Sequence, residues 1–528
     1  MKRAGIFLLI AFAFSSCSGL GFGDDVLKKQ EYSVAHDMIV LGDRLENPYA
    51  VENVTRALNN VYSTRAGRMA VTPTDKYVRF LPKNESEYDR LSCLGLVLSD
   101  HPLDYEIIKD GDYYHDPDLP EDRITWQYAV VKQDFVPPVG IEYEVIQDCF
   151  IPSDVPTRSD DGIDWNLVEA EAYRLTGNAD MLCPQVRDGE GPLTPSGRIA
   201  IVDDRIDGGE PHGVAGVKVM CHTFVKFSSC YTDVEGNYVM DKSFSGQLRY
   251  RLVFQNVKGF AIGFNKILVP ASTSALGKSG PEGVSVVIDN ESDRKMFCRA
   301  VVNNAGYEYY EKCKEQEMEI SLPPLNTRIW IFQGISGGST LMLQHGVMID
   351  DTLIGKYLGA YSKIAKTFLP DITLGLKEYD DYASVYSQAV HELAHASHFS
   401  QVGTTYWDKF VLFIMTSYFE SGGKVYGLGD EKDAGYCEVG EMWAYYLMNC
   451  MYNERYNRED MLFGLSFWFH PHIFHYLDER GLGRSKIFAA LTPDVCSRMD
   501  LQKKLESLYS DDAMIIKQAF DRYSYEQN

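Results

Sequence analysis

The chain has 528 residues, 45% of them hydrophobic and 12% aromatic, with a formal net charge of −24. Those values exclude a disordered or fibrous protein, and the length points to two or three domains rather than one core. No Lys/Arg cluster offsets the acidity, which excludes nucleic acid as a partner.

Met1-Lys2-Arg3 gives a positive start, and Ile6 to Phe14 forms an apolar run. That run is shorter than the roughly 20 residues a spanning helix needs, and Ser15 and Ser16 then precede Cys17. Residues 1–16 resemble a bacterial lipoprotein signal peptide, although Phe14 stands where Leu is usual. The resemblance implies cleavage before Cys17, a lipid anchor on its sulfur, and export to the outer membrane or cell surface. Residues 17–29, Gly-rich from Gly19, read as a tether. No later apolar run is long enough to span a membrane. The ten cysteines after Cys17 contain no CxxC pair and read mainly as buried small hydrophobes. Export permits disulfides, with Cys221–Cys230 and Cys298–Cys313 the pairs to test first.

Residues 30–186 read as an α+β domain. Tyr49 to Tyr62 carries apolar residues at helical spacing, while Tyr77 to Leu81 and Thr125 to Val131 alternate like half-buried strands. The region resembles the N-terminal part of surface lipoproteins of gut Bacteroidetes, which implies no activity. A Gly/Pro-rich stretch from Arg187 to Gly197 marks a boundary. Short strands follow at 199–202, 214–220, 237–240 and 248–254. The Gly213 to Val219 strand and the Thr232 to Tyr238 turn resemble the carboxypeptidase regulatory-like β-sandwich family over 198–269. Gly236 suits the left-handed turn position, Asp233 can cap the turn, and the resemblance implies a spacer without catalysis. The stretch 271–283 reads as a second linker. Residues 285–528 are mainly helical in pattern, with strands near Thr327 to Phe332 and Asp371 to Lys377. The expected fold is therefore multidomain α+β, ending in a mainly helical domain.

That last region holds His391-Glu392-Leu393-Ala394-His395 inside an unbroken helical stretch, Tyr382 to Phe399. Positions i and i+4 share a helix face, so both imidazoles can meet one ion, and Glu392 can reach a water on that ion. An accidental HExxH is expected on the order of 0.02 times in a chain with this histidine content, so the pattern is read as chemistry. The metal implied is zinc, with Glu392 as general base and acid for hydrolysis. His398 lies about 10.5 Å from His391 along the helix, too far to share the ion, and reads as a packing or supporting residue. The extended metzincin pattern is excluded, because it requires Gly at 398 and His at 401, where this chain has His398 and Gln401.

A third ligand is expected on the helix Ala434 to Met451, from Glu441 or Glu438, which lie one turn apart. Glu441-Met442-Trp443-Ala444-Tyr445 resembles the ExxA segment of gluzincin peptidases, with Met442 where Gly is usual. The resemblance implies Glu441 as the ligand and a zincin-like catalytic domain over 285–528, and with Glu441 on the metal, Glu438 is placed to orient a ligand histidine. Tyr445, Tyr446, His470, His472, His475 and Tyr476 are the candidate oxyanion donors. The strand from Asp371 to Lys377 is either an edge that receives peptide backbone or an interior strand. The expected function is a zinc peptidase acting on extracellular proteins or peptides. The alternatives are a non-catalytic binding or adhesion lipoprotein with a structural or relic zinc site, and amide or ester hydrolysis of a small molecule.

Overall fold

The computed structural model describes residues 38–63, 71–120, 123–152, 162–183, 191–263, 271–315, 318–333, 336–348, 370–421, 424, 426–459 and 462–523. The leader, the tether and Cys17 lie outside the described residues. The architecture is mixed α/β with several sheets, followed by a helical C-terminal region.

In the N-terminal part, β1 (Val40–Arg44) pairs with β3 (Tyr105–Lys109), and β2 (Asp75–Leu81) lies between β4 (Gln127–Lys132) and β5 (Glu142–Cys149), all antiparallel. Helices α1 (Val51–Val61), α2 (Glu85–Ser92) and α3 (Trp165–Leu175) accompany them. The helix and the two strands read from the sequence in this region are thus present. Val54, Ala57 and Leu58 of α1 bury against Trp165, Val168 and Ala172 of α3, the stripe that helical spacing requires.

The strands expected between 199 and 254 form as β6 (Ser196–Ile201), β8 (Val217–Thr223), β10 (Asn237–Val239) and β11 (Leu248–Asn256). With β7 (His212–Gly213) and β9 (Lys226–Tyr231) they divide between two sheets. The turn before β10 is built as its residues suggest, with Gly236 at φ 82° and the Asn237 amide donating to Asp233 Oδ1 at 2.7 Å. The segment 271–283 is not a linker. It carries β13 (Thr273–Ser279), which pairs with β11, so sheet pairing overrides the loop signal of Gly277 and Gly280.

The larger sheet has eight strands, with the path β16-β17-β15-β12-β11-β8-β9 and β13 beside β11. Its other members are β12 (Ala261–Ile262), β15 (Arg328–Phe332), β16 (Ser336–Thr340) and β17 (Ile372–Leu376). Strand β14 (Val286–Ile288) joins β6 in the four-stranded sheet. Strand β17, read as edge or interior, is interior: it lies between parallel β15 and antiparallel β16, and β16 stands at one end of the sheet among the described residues.

Against this sheet pack α4 (Arg294–Lys312) and α5 (Tyr382–Val402). After them come α6 (Thr404–Glu420), α7 (Ala434–Arg455), α8 (His472–Glu479), α9 (Arg484–Ala489), α10 (Arg498–Leu508) and α11 (Ala513–Arg522). One apolar core is continuous from Ile199 and Leu252 in the sheets to Leu393, Leu447 and Phe520 in the helices. Among the described residues no helix is long and apolar enough to cross a membrane.

All ten described cysteines are free thiols. Cys298 and Cys313 stand fifteen positions apart at the two ends of α4, roughly 22 Å along the axis, so they cannot pair. Cys221 lies opposite Ser228 and Cys230 opposite Val219, so neither thiol has the other as its direct cross-strand partner.

Candidate functional site

The site is built where α5 crosses α7 beneath β16. Helix α5 starts at a capping box, in which Asp381 accepts from the Ser384 amide at 2.8 Å, and it runs without Pro or Gly to Gly403. Every residue from Val385 to Phe399 is buried, so the helix is a core element and its polar residues face other protein groups. On α7, Gly440 has a packing reason: a Cβ there would stand 2.9 Å from the Phe410 ring of α6, so glycine lets α6 close on α7.

His391, His395 and Glu441 each point one ligand atom into a common space, with these atoms within 4.8 Å of one another. The two imidazoles, one helical turn apart, have ring centroids 4.8 Å apart and are nearly perpendicular. Glu441 places Oε2 3.4 Å from His391 Nε2 and Oε1 3.4 Å from His395 Nε2. Ligands about 2.1 Å from a tetrahedral ion stand about 3.4 Å from one another, so each imidazole stands at such a spacing from one carboxylate oxygen, and the three ligand atoms lie within 4.8 Å of one another. His391 is 1% exposed, and Glu392, His395 and Glu441 are 0% exposed. Neither ring nitrogen of His391 makes a hydrogen bond, an arrangement costly for a buried imidazole unless an ion takes Nε2. Burial, with the neighbouring His395, holds His391 below the usual histidine range despite Glu441, and burial alone takes His395 to about 3. Both rings are therefore in the neutral form that coordination requires. Two carboxylates and two imidazoles share this buried volume, an arrangement that a divalent cation would stabilise. The triad can hold a metal ion.

Glu392 does not join that set. Its Oε1 accepts from Gln388 Nε2 at 2.9 Å and its Oε2 from the Thr340 hydroxyl of β16 at 2.8 Å. Tyr379 in turn donates to Gln388 Oε1 at 2.9 Å, and the Trp407 indole donates to the Thr340 carbonyl at 2.8 Å. Strand β16 passes so close that a Cβ on Gly338 would stand 2.3 Å from Glu392 Oε1 and 2.5 Å from Gln388 Nε2.

The expected third ligand Glu441 is in the set and Glu438 is not. Glu438 accepts the Arg498 amide at 3.3 Å in the first turn of α10, where a carboxylate offsets an unpaired helix N–H. His398 packs its ring on Tyr406 and Trp407, both ring nitrogens without a hydrogen bond, and burial lowers its pKa to about 3.

Of the six expected donors, Tyr445 alone lies against the triad. One turn beyond Glu441, it packs 4.5 Å from the His391 ring, centroid to centroid. Tyr446 donates to Asp478, Tyr476 to Gln518, His475 faces Asn449, and His472 stacks on Tyr523, with His470 in contact with the same ring. Sequence reasoning passed over Tyr426, whose hydroxyl is 3.2 Å from that of Tyr445, and Gln388, Thr340 and Tyr379. Gln388 alone had a signal, its i,i+4 relation to Glu392. Phe467 and Phe469, stacked on each other, pack near Tyr445 and Tyr426. No protein-family model, curated protein or solved structure matches the chain.

Proposed function

We propose that the chain is a zinc-dependent hydrolase, a peptidase acting on proteins or peptides outside the cell, with Glu392 as its general base. The observation that carries this reading is the 3.4 Å spacing of Glu441 from both imidazoles, beside a second carboxylate turned to other partners. Two imidazoles and a carboxylate are a donor set that would suit zinc. Zinc supplies Lewis acidity there and brings a water's pKa toward neutrality. Glu392 would accept a proton from an attacking water and pass it to the leaving nitrogen. Tyr445 packs its ring on His391 and its hydroxyl meets that of Tyr426, which makes this pair the candidate donors to the developing oxyanion. Strand β16, at one end of its sheet among the described residues, offers backbone groups to an extended peptide, which binds with little side-chain preference. The leader and Cys17 add export and a lipid anchor to this reading.

Complete burial of the ligands favours two other readings: a non-catalytic binding or adhesion lipoprotein with a structural metal site, and hydrolysis of a small amide or ester. A structural site is closed by four protein ligands, however, and has no task for Glu392. The test is metal analysis of purified protein beside Glu392→Gln, with cleavage of a denatured protein mixture as readout. Zinc kept in both and cleavage lost in the variant supports the peptidase; equal cleavage by both removes it.

A further inference from the structure

We infer that Thr340 and Gln388 are positioning residues for Glu392, so that strand β16 sets the orientation of the base. This rests on the hydrolase reading above.

A buried carboxylate on a helix has rotatable bonds of its own, and its usefulness as a base depends on one oxygen meeting the attacking water. Here each oxygen is tied by a neutral donor from a different direction. Gln388 comes from the same helix face four residues earlier, and Thr340 from β16. Both donors are themselves held. Tyr379 takes the Gln388 carbonyl oxygen, which turns the amide nitrogen toward Glu392, and Trp407, 0% exposed, grips the Thr340 carbonyl. The Thr340 hydroxyl has one proton, which Glu392 Oε2 at 2.8 Å and the Glu392 backbone carbonyl at 2.9 Å share, and this contact pins the strand to this turn of α5. Both donors are neutral, so they orient the carboxylate without adding a charge beside it. The absent side chain of Gly338 lets the strand come this close, because its Cβ would overlap both Glu392 and Gln388. A strand that serves only to complete the sheet has no need of a hydroxyl aimed at the base, or of a glycine above it.

The experiment compares Thr340→Val, which keeps shape and loses the hydroxyl, with Thr340→Ser, which keeps the hydroxyl, and adds Gln388→Met. Zinc content and melting temperature are measured first, then kcat and KM on a denatured, dye-labelled protein. Thr340→Val and Gln388→Met are expected to keep zinc and KM, while kcat falls about 10- to 100-fold. Thr340→Ser is expected to restore kcat, and Thr340→Val placed on Glu392→Gln to add no further loss. Unchanged kcat in Thr340→Val, equal losses in the Val and Ser variants, or additive loss on Glu392→Gln would overturn the assignment. A second arm is independent of turnover: cobalt is loaded in place of zinc and the visible absorption recorded. Thr340→Val is expected to shift the bands in the direction of Glu392→Gln, and Thr340→Ser to leave them in place. If wild type cleaves nothing, the hydrolase reading falls and the cobalt bands still decide the positioning. A spectrum of Thr340→Val identical to wild type, or a chain that takes up no cobalt, overturns it.

Discussion

Exchanging Glu441 and Glu438 for glutamine in turn separates the proposed metal ligand from its neighbour on the same helix face. Free zinc held about 100-fold above its dissociation constant stabilises the folded chain by about 2.7 kcal/mol. At about 2–4 °C per kcal/mol for a cooperative unit of roughly 150–250 residues, wild type should melt about 5–10 °C higher in zinc than in chelator. Glu441→Gln keeps the shape of a residue whose two oxygens stand 3.4 Å from the imidazoles, but removes the charge that draws the cation. Its zinc-dependent shift should fall to a small fraction of the wild-type value. In chelator no cation is at stake and the variant keeps the shape of the buried side chain, so it should melt close to wild type. Glu438→Gln weakens a charge-assisted bond to the first turn of α10, at a cost of about 1–2 kcal/mol in zinc and in chelator alike, so its shift stays full. The assay is thermal unfolding by circular dichroism in buffered zinc and in chelator. A zinc shift lost in Glu438→Gln and kept in Glu441→Gln, or no shift in wild type, refutes the assignment.

Gly338→Ala forces a Cβ into the Glu392–Gln388 pair; it should cost about 1–3 kcal/mol in denaturant unfolding and abolish cleavage with zinc retained. Undiminished cleavage would show that β16 does not approach the base so closely. Lys226→Met removes one partner of a buried pair, Lys226 Nζ to Glu169 Oε1 at 3.2 Å, and should destabilise the chain by about 3 kcal/mol while leaving metal content unchanged. Burial alone would lower the His345 pKa, but the hydrogen bond and charge of Asp371 raise it overall. The stability it contributes is therefore present below the unfolded value of about 6.5 and lost as pH rises through the folded value, so His345→Gln should lower the melting temperature more at about pH 5.5 than at about pH 8.5. Intact mass should be the same with and without reductant. Alkylation of the native chain should mark exposed Cys93 ahead of buried Cys298 and Cys437.

Much of the metal set could be read from the sequence, because helical periodicity alone brings His391 and His395 to one face and puts Glu392 beside them. The choice between Glu441 and Glu438 could not be made from periodicity. The two lie one turn apart on α7, and only packing separates them, one against α5 and the other against α10. The strands at 75–81, 127–132 and 328–332 carried runs of β-branched and aromatic residues and were legible. Strand β16 was not, since Ser336-Gly337-Gly338-Ser339-Thr340 has the composition of a turn and becomes a strand through pairing with β17. The same holds for β13, and with it the linker expected at 271–283 disappears. Thr340, Tyr379 and Tyr426 reach the site from distant segments, and no local pattern marks them.

The burial that makes the site hard to see in composition also ties its chemistry to the fold. His391, His395, Glu392 and Glu441 sit in the seam between α5 and α7, the two helices on which the C-terminal core is built. Without a cation the seam holds two carboxylates and two imidazoles that burial keeps neutral, an arrangement that proton uptake or local opening must relieve. With a divalent cation the charges balance, and the same side chains join the helices they otherwise strain. Metal loss should therefore appear first as loosening of α5 against α7. Hydrogen exchange should report it there before it reaches β2, β4 and β5, which belong to clusters of their own. Since Thr340 and Gly338 bind β16 to the same turn of α5, a seam that loosens also frees the strand that would receive substrate. On the proposed hydrolase reading the metal would be a condition for the substrate edge as well as for the water, and chelation should abolish binding of an extended peptide together with its cleavage.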